Sequence, residues 1–243
     1  MSDISFVTTS AEAINSALIN DFENFTGDVL PAGDQRRILL QGLSYWLASV
    51  ATDINMTGRS NLLRYALDET LDALGEFYGV ARLDAAYATV IIEFTLSSAQ
   101  VQDITIAAGT RITPDGKLFF ATLSDLIIPS GLQTGTVAAQ ATETGIAYNG
   151  YVIGQINKLV DGNPYVSTVE NTTTSTDGTE IESDDDYRAR LRSSPFSYST
   201  AGAAKSYEFW ARSASSDVGD IMVLSSSPCT VQIYVVKVGG VIP

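Results

Sequence analysis

At 243 residues, with 45% hydrophobic and 17% charged side chains, the chain is long enough to bury a core and too apolar to be a disordered segment. A formal charge of −14, from 14 basic against 28 acidic residues, excludes nucleic acid as a main partner, because that binding rests on Lys and Arg neutralising phosphates. With no His and one Cys, the chain has no Ser-His-Asp or Cys-His device, no imidazole-held metal and no internal disulfide.

Thr9 to Gly27 reads as a first helix: Thr9 and Glu12 can form a capping box, Ile14, Leu18, Phe22 and Phe25 share a face, and Gly27 suits a left-handed stop. Gly33 to Gly58 reads as a longer one, with Leu39, Leu43, Trp46, Val50 and Ile54 spaced by threes and fours. Ser60 to Gly79 gives a third, striped by Leu63, Leu67, Leu71 and Leu74. Each stripe must be covered. The periodicity fits a bundle that packs on itself and fits equally helices that pack against other chains.

From Tyr87 the period drops to two, with Val90, Ile92, Phe94 and Leu96 on one face of a strand. Asp115-Gly116 marks a hairpin turn, since both residues tolerate positive φ. Further strands are expected at Leu126 to Ile128, Thr136 to Ala141 and Gln155 to Leu159, giving a small antiparallel barrel or sandwich. The Thr- and Ser-rich stretch from Thr168 to Glu180 reads as a polar linker and a domain boundary.

After it, Ser183 with Asp186 forms a second capping box, and Asp184, Asp185 and Asp186 meet the positive end of a helix dipole. Arg188 and Arg190 follow Asp184 and Asp186 by four residues, the favourable order for helix ion pairs. Pro195 ends that helix. Ser199 and Thr200 offer caps for another, with Ala203, Tyr207, Trp210 and Ala214 on one face, the aromatic pair being expected to face inward. Strands at Val218 to Leu224 and Thr230 to Val238 close the sequence, turning at Ser225 to Pro228, with Cys229 expected as a small core residue.

Three stretches of this chain resemble the baseplate J-like family of contractile phage tails and related injection machines. The first runs from Glu182-Ser183-Asp184-Asp185-Asp186 through Arg188, Arg190, Leu191, Pro195, Ser199, Ala201-Gly202 and Tyr207 to Ala211. The second is Leu71-Asp72-Ala73-Leu74-Gly75 with Gly79 and Arg82, and the third runs from Ala108-Gly109-Thr110 through Asp115-Gly116 and Phe119 to Thr122, then Gly145, Asn149-Gly150 and Gly154.

The resemblance implies a wedge subunit of a tail baseplate, joined to other wedge proteins through its N-terminal helices and to a second copy of itself through a C-terminal domain. Such wedges form a hetero-oligomeric ring around the tail hub and rearrange on host attachment so that the sheath contracts. It also implies a further helix and strand after Val238 that this sequence lacks, so the last domain is expected to be incomplete, as a short form or one completed by a neighbouring chain.

Other chemistries find little footing. Three consecutive helical aspartates point in three directions and cannot converge on one ion. Glu143, Glu170 and Glu182 invite an alternative reading as an acidic carbohydrate-binding or glycan-hydrolysing protein, but their spacing places no two as a catalytic pair. No phosphate-cradling glycine loop, signal peptide or run of roughly 20 apolar residues is present.

The expected architecture is therefore α+β and multidomain: an N-terminal helical segment over residues 1–82, a central antiparallel β domain over 83–170, and a small C-terminal α/β domain over 171–243. No catalytic, metal or cofactor site is expected. The candidate functional residues are interface positions: Leu39, Leu43, Trp46, Leu67, Leu71, Leu74, Tyr207 and Trp210.

Overall fold

The computed structural model describes residues 4–199 and 202–238, and the chain divides into two units, residues 1–81 and 82–243. The architecture is α+β. Expectations that fall on Thr200, Ala201 and residues 239–243 lie outside the described residues.

In the first unit, α1 spans Ala11–Thr26, α2 Gln35–Ser60 and α3 Asp68–Tyr78. The cap of α1 is Ser10 rather than Thr9, its hydroxyl accepting from the Ala13 amide at 3.2 Å, and Gly27 closes the helix in the left-handed conformation. Asp34 caps α2 through the Arg36 amide at 2.8 Å. The expected third helix is shorter than its leucine stripe, because side chains end α2 first: Ser60 and Asn61 both donate to the Thr57 carbonyl. The chain re-enters helix only at Asp68, where the Thr70 hydroxyl accepts from the Leu67 amide at 3.2 Å.

The second unit is organised around β1, Tyr87–Leu96, whose residues alternate between core and surface as the sequence predicts. Its companions are β2 (Ile104–Ile106), β3 (Arg111–Thr113), β4 (Phe120–Thr122), β5 (Leu126–Ile128), β6 (Thr134–Thr144), β7 (Lys158–Leu159) and β8 (Val166–Asn171). Five of them join β1 in one antiparallel sheet in the order β7-β3-β4-β6-β1-β8, and β2 pairs with β5. The sheet curls into a near-closed barrel filled by Val90, Ile92, Phe94, Ile112, Phe120 and Ile156, with Tyr148 edge-on to Phe120 at 5.7 Å. Fully burying side chains of this size contributes roughly 1.5–3 kcal/mol each.

Two expectations are corrected here. The β3–β4 connection is a longer loop than a two-residue turn: only Gly116 has positive φ, while the Asp115 carboxylate accepts from the amides of Lys117 at 2.8 Å and Leu118 at 3.0 Å. The polar stretch from Thr168 is no linker. It begins inside β8, which pairs with β1 (Phe94 opposite Val169, Ile92 opposite Asn171), and its later residues bridge Thr89 to Thr176 and Ala86 to Thr179. Threonine suits a strand whose outer face is wet, so the composition that suggested a linker fits an edge of the barrel. Gly178 is required there: a Cβ would lie 2.4 Å from the Gly145 carbonyl oxygen, where two backbone segments cross.

The rest of this unit comprises α4 (Asp184–Ser193), a 3-10 turn over Ser194–Tyr198 that opens with Pro195, α5 (Ala204–Arg212), β9 (Val218–Ser227) and β10 (Thr230–Lys237). The last two form an antiparallel hairpin. Ala203, not Ser199, is the N-cap of α5. Cys229 is exposed at the hairpin tip with φ of 60°, not a core residue.

Candidate assembly interface

The long helix α2 buries its small and polar side: Ser44, Ala51 and Asn55 face inward at spacings of seven and four. Its apolar stripe lies on another face and is uncovered. Leu39 is 73% exposed and Trp46 63%, and Ile38, Leu43, Ile54 and Met56 are also exposed. A helix that shows tryptophan to water and hides serine has its hydrophobic face unmatched within its own unit. Leu67 is likewise exposed, Leu74 is half-buried, and Leu71 is fully buried in the unit's own core, with no surface to offer another chain.

In the C-terminal segment the aromatic expectation is corrected in part. On α5 the buried ring is Phe209, with Trp210 edge-on to it at 5.4 Å, 60% exposed; Tyr207 is half-buried. The helix therefore presents a face about one residue from the one its sequence spacing suggests. It packs on β9, yet the far half of the hairpin stays open: Met222, Leu224, Val231, Ile233 and Tyr234 are all exposed. A two-stranded ribbon with apolar residues uncovered is marginal in water by itself.

A buried charge cluster supports this segment. Glu182 receives Arg190 through two hydrogen bonds, Nε to Oε1 at 2.7 Å and Nη2 to Oε2 at 2.5 Å, and also accepts from the Leu83 amide at 3.0 Å. The Glu182 amide donates back to the Leu83 carbonyl. Arg82 pairs with Asp184 at 2.7 Å and donates to the Glu182 carbonyl at 2.9 Å. The Tyr187 ring packs against both guanidinium groups, 4.8 Å from that of Arg82 and 5.3 Å from that of Arg190.

The aspartate triplet thus serves a helix start and its ion pairs. Asp184 takes Arg82, Asp185 takes Arg188, and Asp186 accepts from the Ser183 hydroxyl at 2.6 Å. Arg190 turns to Glu182, which the sequence spacing gave no reason to pair with it.

Among the described residues no cluster of three or more His, Cys, Asp or Glu side chains is placed to hold a metal ion. Glu182 is consumed by its ion pair, and Glu143 takes the Tyr148 hydroxyl at 3.4 Å. Glu170 lies opposite Glu93 in the β1–β8 register, a carboxylate pair that the sequence reading did not name. Beside the cluster, Ile146, Ile181 and Val238 line a crevice of about 560 Å³ that Glu180, Asp186 and Asp217 make acidic. Among the described residues no helix is long and apolar enough to cross a membrane.

Residues 91–178 match the family described as the Baseplate J-like protein barrel domain, a span from within β1 to just beyond β8. It takes in the third of the resembling stretches and neither of the other two. A chain of the anti-feeding prophage baseplate, solved by cryo-electron microscopy with 6-fold symmetrisation, is similar at 13% identity and a TM-score of 0.46. That likeness covers 96% of this chain and 64% of the other, so this chain spans under two thirds of its length. No curated protein matches the chain.

Proposed function

We propose, from a chain whose residues 91–178 are a baseplate J-like barrel, that this protein is a structural component of a contractile tail baseplate, acting as a wedge subunit. The barrel match is the observation that carries the reading. The uncovered stripe of α2 and the open β9–β10 hairpin support it, because a part built for assembly leaves for its neighbours the apolar surface that a free-standing protein would cover.

On this reading the work is mechanical. The α2 stripe meets other wedge proteins, the C-terminal segment meets a second copy, and the resulting ring encircles the tail hub. Host attachment shifts these contacts between two arrangements, which releases the sheath. The protein then acts at the virion or particle baseplate, without a catalytic step or a cofactor.

The test is co-expression with the other baseplate proteins of its particle. Leu39→Asp with Trp46→Asp, or Leu67→Asp alone, should abolish recovery of the chain in baseplate complexes, at least tenfold by quantitative blotting, while near-UV spectra of the barrel stay unchanged. A wild-type chain that stays monomeric and enters no particle would sink the proposal.

A further inference from the structure

The first unit contains a peptide seated in a groove, and the peptide is its own. Residues 4–7 lie across α2, bending at Phe6 and Val7, and are held through their main chain. The Asn55 side chain accepts from the amides of Phe6 at 2.7 Å and Val7 at 3.1 Å and donates to the Val7 carbonyl at 2.8 Å. One turn further on, Arg59 donates to the Ile4 carbonyl at 2.7 Å, and the Tyr65 hydroxyl accepts from the Ile4 amide at 3.1 Å.

This amounts to main-chain recognition. A carboxamide that both accepts from and donates to a peptide backbone reads no side chain; here its oxygen takes two successive amides, so it reads a bend in the main chain. The anchor is Phe6. Its ring lies over Gly58, where a Cβ would be 2.7 Å from the ring atoms. Glycine inside a helix is unfavourable relative to alanine, and here its absent side chain is the seat of the ring. Asn55 is likewise an unusual residue to bury, and every hydrogen bond shown for its side chain goes to this segment.

The hold joins these polar bonds to one apolar seat, that of the Phe6 ring. Phe6 and Ile4 remain about half exposed, and residues 8–10 between the strap and α1 are exposed throughout. The strap can therefore leave without unfolding α1, whose cap is Ser10. Beside it the groove continues as a crevice of about 610 Å³ lined by Thr52, Met56, Leu67 and Thr70, of which Met56 and Leu67 are exposed apolar residues.

We infer that this groove is a binding site for a bent peptide with an aromatic anchor, and that residues 4–7 of a second copy of the chain can take it in place of the chain's own strap. A second copy offers the same backbone and the same phenylalanine, so an exchange preserves each of these contacts, which is what makes swapping of identical segments accessible. The inference stands apart from the baseplate reading, since it rests on α2 and the strap alone.

The test is a synthetic peptide of residues 4–10 with a C-terminal fluorophore, titrated onto the full-length chain and followed by anisotropy. Phe6→Ala weakens the resident strap, so that variant should bind the peptide at least tenfold more tightly than wild type does. Adding Gly58→Leu, which fills the ring's seat with a good helix former, should remove the binding while helical circular dichroism is retained; adding Asn55→Leu should do the same. Should Asn55→Leu disturb folding, Gly58→Leu decides the matter alone. A Phe6→Ala chain that binds no more tightly than wild type, or binding indifferent to Gly58→Leu, overturns the inference.

Discussion

Asn171 ends β8 without any exposed surface. Its carbonyl oxygen accepts from the Ile156 amide at 2.8 Å, and its amide nitrogen donates to the carbonyls of Thr173 at 2.7 Å, Val152 at 3.0 Å and Tyr151 at 3.2 Å. One side chain thus replaces a missing stretch of ladder where the loop before β7 meets β8. Asn171→Asp keeps the shape and replaces the donor with a carboxylate oxygen facing three carbonyls. It should cost about 3 kcal/mol or more, read from the midpoint of urea unfolding. Asn171→Asp should also be more damaging at pH 7 than at pH 4, where a protonated carboxyl can donate once.

Between elements, a surface staple fixes β3 against the turn that follows β7. The Asp161 carboxylate accepts from the Arg111 amide at 2.9 Å and from its guanidinium at 2.8 Å. These bonds hold the carboxyl below its usual value of 3.8. A depressed carboxyl stabilises the fold above its unfolded pKa and loses that contribution as pH falls through the lower folded one. Melting temperature should therefore be flat down to about pH 4 and drop below it, and the drop should be shallower in Asp161→Asn.

Both staples illustrate what the sequence makes legible. Strands β1 and β5 and the C-terminal hairpin can be read from alternation, and the ends of α1 and α3 from Gly27 and Gly79, because these signals are local. The pairing of Asp161 with a residue fifty positions away, and the incorporation of β8 into the barrel, depend on tertiary register that no local pattern encodes. The α2 stripe was legible as apolar but not as covered or open, because spacing finds the apolar side of a helix and not which side its own chain buries. Only the inward-facing expectation for Tyr207 and Trp210 is corrected, since Phe209 between them takes the core position.

At the scale of the molecule, the two units differ in how they are filled. The barrel closes over a continuous core from Ala88 to Val169, whereas the first unit buries Ser44 and Asn55 where large apolar side chains would otherwise stand. The first unit should accordingly melt first in calorimetry, and a partner bound to the α2 stripe should raise its transition alone. A partner at a hundred times its dissociation constant contributes about 2.7 kcal/mol. A partner that moves the barrel transition instead, or moves neither, would contradict this division of labour.

The cluster around Tyr187 has a consequence for load. Residues 82 and 83, where the backbone enters the second unit, are tied at once to Glu182 and Asp184 by main-chain and side-chain bonds. Tension arriving along the chain at residue 82 thus meets several bonds in parallel, with a guanidinium packed on an aromatic ring behind them. Parallel bonds share a pull that would break a series one at a time. The point of entry is a mooring, set on α4 and on the segment leading into it, so that force carried by the backbone reaches the C-terminal segment before it can peel the first strand from the barrel.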